Sequence, residues 1–165
     1  MIRTWTPESD GPKPGEACNV KEMRAWFERL PKMRARICQQ KEHIASLRNA
    51  ATTTTSGTSG APGRSGTSDK VGRNSDAALD AEQCLAELNC QYAQMQKDAI
   101  DMAYMLHADP ASIKRSRCLI LYYVEGRKQA DIAPLVGYSG PEKVSHAISD
   151  GLRQLAEAAT ELNLG

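Results

Sequence analysis

The chain has 165 residues, with 21 Lys and Arg against 20 Asp and Glu, a net charge of +1. That length suits one domain or two small ones, and 5% aromatic content with a single Phe argues against a large aromatic core. No apolar run approaches the roughly 18 residues a membrane helix needs, and residues 1–15 lack the apolar stretch of a secretory signal. Five cysteines (Cys18, Cys38, Cys84, Cys90, Cys118) form no C-x-x-C pair. They read as reduced thiols of a cytoplasmic protein, without a disulfide frame or a metal site.

In chain order, residues 1–20 carry Pro7, Pro12 and Pro14 among glycines and read as a flexible arm. From Lys21 to Ala51 the pattern turns helical, with Asn19 as an N-cap candidate. Apolar residues fall at Met23, Trp26, Phe27, Leu30, Met33, Ile37, Ile44 and Leu47. Pro31 interrupts this run and predicts either a kink or a new helix after a short one over 21–29. Residues 52–75 are dominated by Thr, Ser and Gly and bury too little to offset ordering entropy. They read as a disordered linker, able to span roughly 27 Å if fully flexible.

Ser75 or Asp76 then predicts the cap of a long helix reaching about His107, closed by Asp109-Pro110. Leu85, Leu88, Tyr92, Met95, Ala99, Met102 and Leu106 step by 3, 4, 3, 4, 3, 4, an a/d seam over three heptads. Residues 21–51 carry eight basic and three acidic side chains, whereas 76–109 carry one Lys and seven acids. Amphipathic helices of opposite charge predict a coiled-coil hairpin over 21–109. The same seam would serve a homodimer, and an ordinary core with solvated charged faces would show the same stripe.

Residues 111–165 form the third region. A helix from Ala111 to Glu125 is stopped by Gly126. A short helix over Gln129 to Val136 buries Ile132, Ala133 and Val136, and Gly137 suits the left-handed position that ends a helix. Ser139-Gly140-Pro141-Glu142 has the pattern of a capping box. The next helix turns Val144, Ala147, Ile148, Leu152 and Leu155 inward. Helix, glycine turn and capped helix make a helix-turn-helix arrangement, in which Ala133 permits close approach. The fold class is therefore all-α: a flexible arm, a helical hairpin with a disordered linker, and a C-terminal helix-turn-helix domain.

The stretch CLILYYVEGRKQADIAPLVGYSGPEKVSHAISDGLRQL resembles the fourth region of bacterial sigma factors. The whole layout resembles the ArpU/RinA class of phage transcriptional regulators over about residues 22–158, with motif-level likeness confined to 118–155. Two positions depart from the pattern: Pro134 lies inside the first helix of the motif, and Val144 falls one residue late after Ser139. The resemblance implies a DNA-binding regulator of phage late genes acting on double-stranded DNA, with RNA polymerase as a partner. Packaging adaptors of the small-terminase type also join a helix-turn-helix to coiled-coil helices, and a protein-interaction module on polymerase is a third reading.

In such a motif the second helix enters the major groove and the first meets the backbone. With the apolar positions inward, Glu142, Lys143, Ser145, His146, Ser149 and Arg153 face out, with Ser139 at the turn. Lys143, Ser145 and His146 are the candidate base contacts. Arg127, Lys128 and Arg153, with Lys114, Arg115 and Arg117, are the phosphate candidates, and Gln129 could support a phosphate contact. Each is equally a residue type expected on a solvated surface. Residues 111–165 hold seven basic and six acidic side chains, little charge for a lone DNA-binding domain. HExxH, Walker and GxSxG motifs are missing, and His43, His107 and His146 lie in different segments, so neither an enzyme nor a cofactor is expected.

Overall fold

The computed structural model describes residues 19–53 and 67–163. Among them every regular element is helical: α1 (Val20–Thr53), α2 (Thr67–Tyr104), α3 (Pro110–Leu119) continued by a π-helical turn (Ile120–Val124), α4 (Gln129–Val136) and α5 (Pro141–Asn163). Residues 1–18 of the expected flexible arm and the centre of the expected linker lie outside the described residues, and the last two residues of that arm, Asn19 and Val20, cap and start α1. The chain packs as two compact units. One holds described residues 19–31 and 95–163; the other is Lys32–Gln94.

α1 begins as its sequence predicts. The Glu22 amide donates to Asn19 Oδ1 at 3.0 Å and the Asn19 amide to Glu22 Oε2 at 2.9 Å, a reciprocal capping box. Pro31 neither ends nor restarts the helix, which is α-helical from Val20 to Thr53. Proline removes one backbone donor and the helix continues on either side. Both helices also advance into the expected linker: α1 runs to Thr53, and α2 starts at Thr67 rather than at the Ser75 or Asp76 cap. The Thr52 hydroxyl donates back to the Arg48 and Asn49 carbonyls at 2.9 and 3.0 Å. Composition measured what this stretch can bury. Extending a helix already nucleated needs only about one backbone hydrogen bond per residue, which Thr, Ser and Gly weaken without forbidding.

Within Lys32–Gln94 the two helices touch through polar side chains at either end of an apolar seam. Arg34 Nε donates to Tyr92 Oη at 3.0 Å, with the guanidinium 5.9 Å from the ring centroid. At the other end Arg48 Nε donates to Glu82 Oε1 at 3.0 Å, and Gln40 Nε2 donates to the neighbouring Ala81 carbonyl at 3.0 Å. The low end of one helix faces the high end of the other, so they run antiparallel. Ile37, Ile44, Ala78, Ala81 and Leu88 are buried in this unit.

The other unit carries the larger core. α2 ends at Tyr104, short of His107, because the chain tightens into i→i−3 bonds: Met105, Leu106 and His107 amides donate to Met102, Ala103 and Tyr104 carbonyls at 3.1 to 3.2 Å. Asp109 then caps α3. Its Oδ1 accepts from the Ala111 and Ser112 amides at 2.8 and 3.0 Å, and Pro110 takes the first helical position. The single helix expected over Ala111 to Glu125 changes character near its end, where the Glu125 amide bonds the Ile120 carbonyl. Gly126 closes it at φ 72°.

Cys118, Leu119, Ile132, Val144, Leu152 and Leu155 are fully buried, and Phe27 joins them. Its ring lies 5.2 Å from that of Tyr123. The first turns of α1 are thus part of the same core as α3 to α5. Burial pushes the Cys118 thiol up to about 11, so it stays protonated among its apolar neighbours.

Candidate nucleic-acid interface

α4 and α5 are joined by residues 137–140. Gly137 adopts φ 77°, ψ 35°. The Gly137 amide bonds the Pro134 carbonyl at 3.4 Å and the Tyr138 amide bonds the Ala133 carbonyl at 2.8 Å. These are the two bonds of a Schellman C-cap, in which the last carbonyls of a helix are satisfied by a residue in the left-handed region. Pro134 sits six residues into α4, and its missing amide costs that short helix one bond. α5 starts at Pro141, which places Gly140, rather than Ser139, immediately before the helix. Helix bounds move by a residue or two with the hydrogen-bond pattern used to define them.

α4 turns Ile132, Ala133 and Val136 into the core, and α5 turns Val144, Ala147, Ile148, Leu152 and Leu155 inward. These are the inward positions expected from the periodicity. The opposite face of α5 carries Glu142, Lys143, Ser145, His146, Ser149 and Arg153, all exposed, and Ser139 is exposed in the turn. Arg127 and Lys128 are exposed ahead of α4, whereas Gln129, its first residue, is half-buried.

The charges on this surface are partly spent locally. Arg127 Nε contacts Glu125 Oε2 at 2.6 Å, and Arg153 Nη2 contacts Asp150 Oδ1 at 2.9 Å. Both pairs are solvent-exposed, so each holds its partner weakly. Arg153 also borders a shallow groove with Asn19, Val20, Glu157 and Glu161. Carboxylates stand along the whole of α5, from Glu142 in its first turn to Glu157 and Glu161. On α3, Lys114 and Arg117 are exposed and Arg115 is half-buried. Lys114 Nζ lies 5.5 Å from the Tyr138 ring centroid, within cation–π range. Burial is the main reason that the Tyr138 phenol titrates above its usual value, so it remains a neutral platform beside that lysine.

Two features of the site lie beyond the sequence reading. Gly151 is buried on the inward face of α5, where an added Cβ would stand 3.1 Å from Leu119 Cδ1 and 3.4 Å from Arg115 Cβ. A helical glycine spaced four from Ala147 was the available signal. Arg24 of α1 donates through Nη2 to Ser149 Oγ at 3.4 Å. No local signal pairs residues 125 positions apart.

His107 Nε2 lies 3.2 Å from Ser116 Oγ. Ser116 is fully buried, and the Asp109 carboxylate is taken up by the α3 cap and by the Ser112 hydroxyl at 2.7 Å. The contact ties the α2–α3 turn to α3. Among the described residues no three His, Cys, Asp or Glu side chains group as a metal site, and no helix is long and apolar enough to cross a membrane. Compared with family models, curated proteins and solved structures, the chain matches none.

Proposed function

We propose that the protein is a double-stranded-DNA-binding transcriptional regulator of the phage type, with α4, residues 137–140 and α5 as its helix-turn-helix. The observation that carries this reading is the two-sided character of α5. One face is buried against α3 and α4, and the other offers Lys143, Ser145, His146 and Ser149 as an exposed row in its first turns. A second helix held by a glycine turn, with polar side chains facing out from its N-terminal half, suits insertion into a major groove. Lys143, Ser145 and His146 read base edges, while Arg127, Lys128 and Arg153 position the backbone. The antiparallel helices of Lys32–Gln94 are read as a coiled-coil hairpin.

With seven basic residues against six acidic ones over 111–165, this surface holds DNA through few phosphates, and RNA polymerase supplies the remaining affinity at a promoter. The test is binding of the full chain to labelled duplex DNA over a salt series, with run-off transcription from adjacent phage promoters. Lys143→Ala with Arg153→Ala is expected to weaken binding and flatten the salt dependence. Undiminished binding by that double variant would overturn the site. No binding by the parent, alone or with polymerase, would overturn the function. A closed ring of subunits by light scattering would favour a packaging adaptor instead.

A further inference from the structure

We propose that Arg24, from the first turns of α1, belongs to the DNA-contacting surface and binds a backbone phosphate beside Ser149. This rests on the helix-turn-helix reading of α5. Met23, Phe27 and Leu30 are fully buried, at the i, i+4, i+7 spacing of one helical stripe. Together with the Phe27 and Tyr123 rings, which pack 5.2 Å apart, they fix the rotation of this part of α1. With that stripe inward, Arg24 is held exposed at its edge, and its guanidinium reaches Ser149 Oγ at 3.4 Å. Ser149 stands on the outward face of α5 in step with Glu142, His146 and Arg153, at spacings of four, three and four.

The guanidinium therefore borders the row of side chains offered to the groove. Its five donors form a planar fork that matches phosphate oxygens, and one bond to a serine hydroxyl leaves most of them for a ligand. Two other side chains act on the same neighbourhood. Glu28, one turn along α1, and Arg24 act in opposite senses on the buried Tyr123 phenol, whose titration burial raises to about 12. Asp150, next to Ser149, has its carboxylate on Arg153 at 2.9 Å. A cation from the N-terminal segment supplies what the near-neutral C-terminal segment lacks. The interface is then composite, built from residues at both ends of the chain.

The experiment measures anisotropy of a labelled mixed-sequence duplex with the full-length chain across a potassium chloride series. Arg24→Met keeps the aliphatic stem and removes the charge; Arg24→Lys keeps the charge; Arg48→Gln, in the other unit, is the control. Circular dichroism fixes a temperature at which every variant is folded. Arg24→Met is expected to bind several-fold more weakly and to lower the slope of log K against log salt by about 1. Arg24→Lys is expected to keep the parent slope, as Arg48→Gln does. A parent-like slope for Arg24→Met, with the Lys143 and Arg153 double variant impaired, would overturn the role of Arg24 and leave the DNA reading standing. Equal losses for Arg24→Met and Arg24→Lys would assign the effect to packing and overturn the proposal. A parent that does not bind the duplex would remove the DNA reading itself.

Discussion

Asp109 shows how one side chain sets a boundary between two helices. Three hydrogen bonds converge on its carboxylate: from the Ser112 hydroxyl at 2.7 Å, from the Ser112 amide and from the Ala111 amide. The hydroxyl bond leads in holding the carboxyl below its ordinary pKa of 3.8, and the two amides and Arg115 add to it. A carboxyl depressed in the folded state stabilises fully above its unfolded pKa and loses that contribution as pH falls through the folded value. Asp109→Ala is therefore expected to melt below the parent at neutral pH. The gap should close as pH falls below about 4, as thermal melts over a pH series would read. A gap that persists in acid would mean that packing, rather than charge, carries the effect. The sequence pattern Asp-Pro marked this position as a helix end. The same two residues also start the next helix, because the carboxylate accepts two of the first-turn amides that have no acceptor within the helix, and proline at N1 has no amide to satisfy.

At the scale of elements, α4 was the most legible. Its bounds, Gln129 to Val136, and the left-handed Gly137 both follow from the sequence, since a short apolar stripe and a glycine are local signals. Gly137→Ala meets nothing within 4 Å, so space does not limit it; φ 77° does. An alanine held in the left-handed region costs roughly 1–2 kcal/mol. A lowered unfolding midpoint of that order, with Gly137→Asn milder, is the expected outcome of chemical denaturation. The π-helical turn over Ile120–Val124 was not legible. It shifts the register of the hydrogen bonds while leaving Leu121, Tyr123 and Val124 buried, so the hydrophobic pattern looks like that of a plain helix end. α1 and α2 reach further into 52–75 than composition predicts, for the opposite reason. Thr, Ser and Gly lack apolar side chains, but a helix nucleated on a neighbouring apolar stripe can run through them.

At the scale of the molecule, the near-equality of positive and negative side chains divides by region. Within Lys32–Gln94 the α1 segment is mainly basic and the α2 segment mainly acidic, and Arg48 and Glu82 form an ion pair. Such an exposed pair contributes little on its own, so the apolar seam must carry most of the pairing. The other unit closes on a contact between distant parts of the chain: Phe27 against Tyr123. Removing a fully buried Phe leaves a cavity and costs about 3–5 kcal/mol. Phe27→Ala is accordingly expected to lower the unfolding midpoint of the unit containing α3 to α5, followed through near-ultraviolet signals from its tyrosines. An unchanged midpoint there would mean that the first turns of α1 are dispensable to that core.

The sequence by itself determined the helical class, the Asn19 cap, α4 with its glycine turn, and the inward and outward faces of α5. All of these depend on residues within a few positions of one another, where helical period and turn chemistry act. The tertiary structure alone decided that α1 passes through Pro31, that its first turns join the C-terminal core, and that Arg24 stands beside Ser149. Those outcomes depend on which apolar stripes meet across long separations in the chain. That choice is set by burial and shape summed over the whole fold, and no short window of sequence contains it.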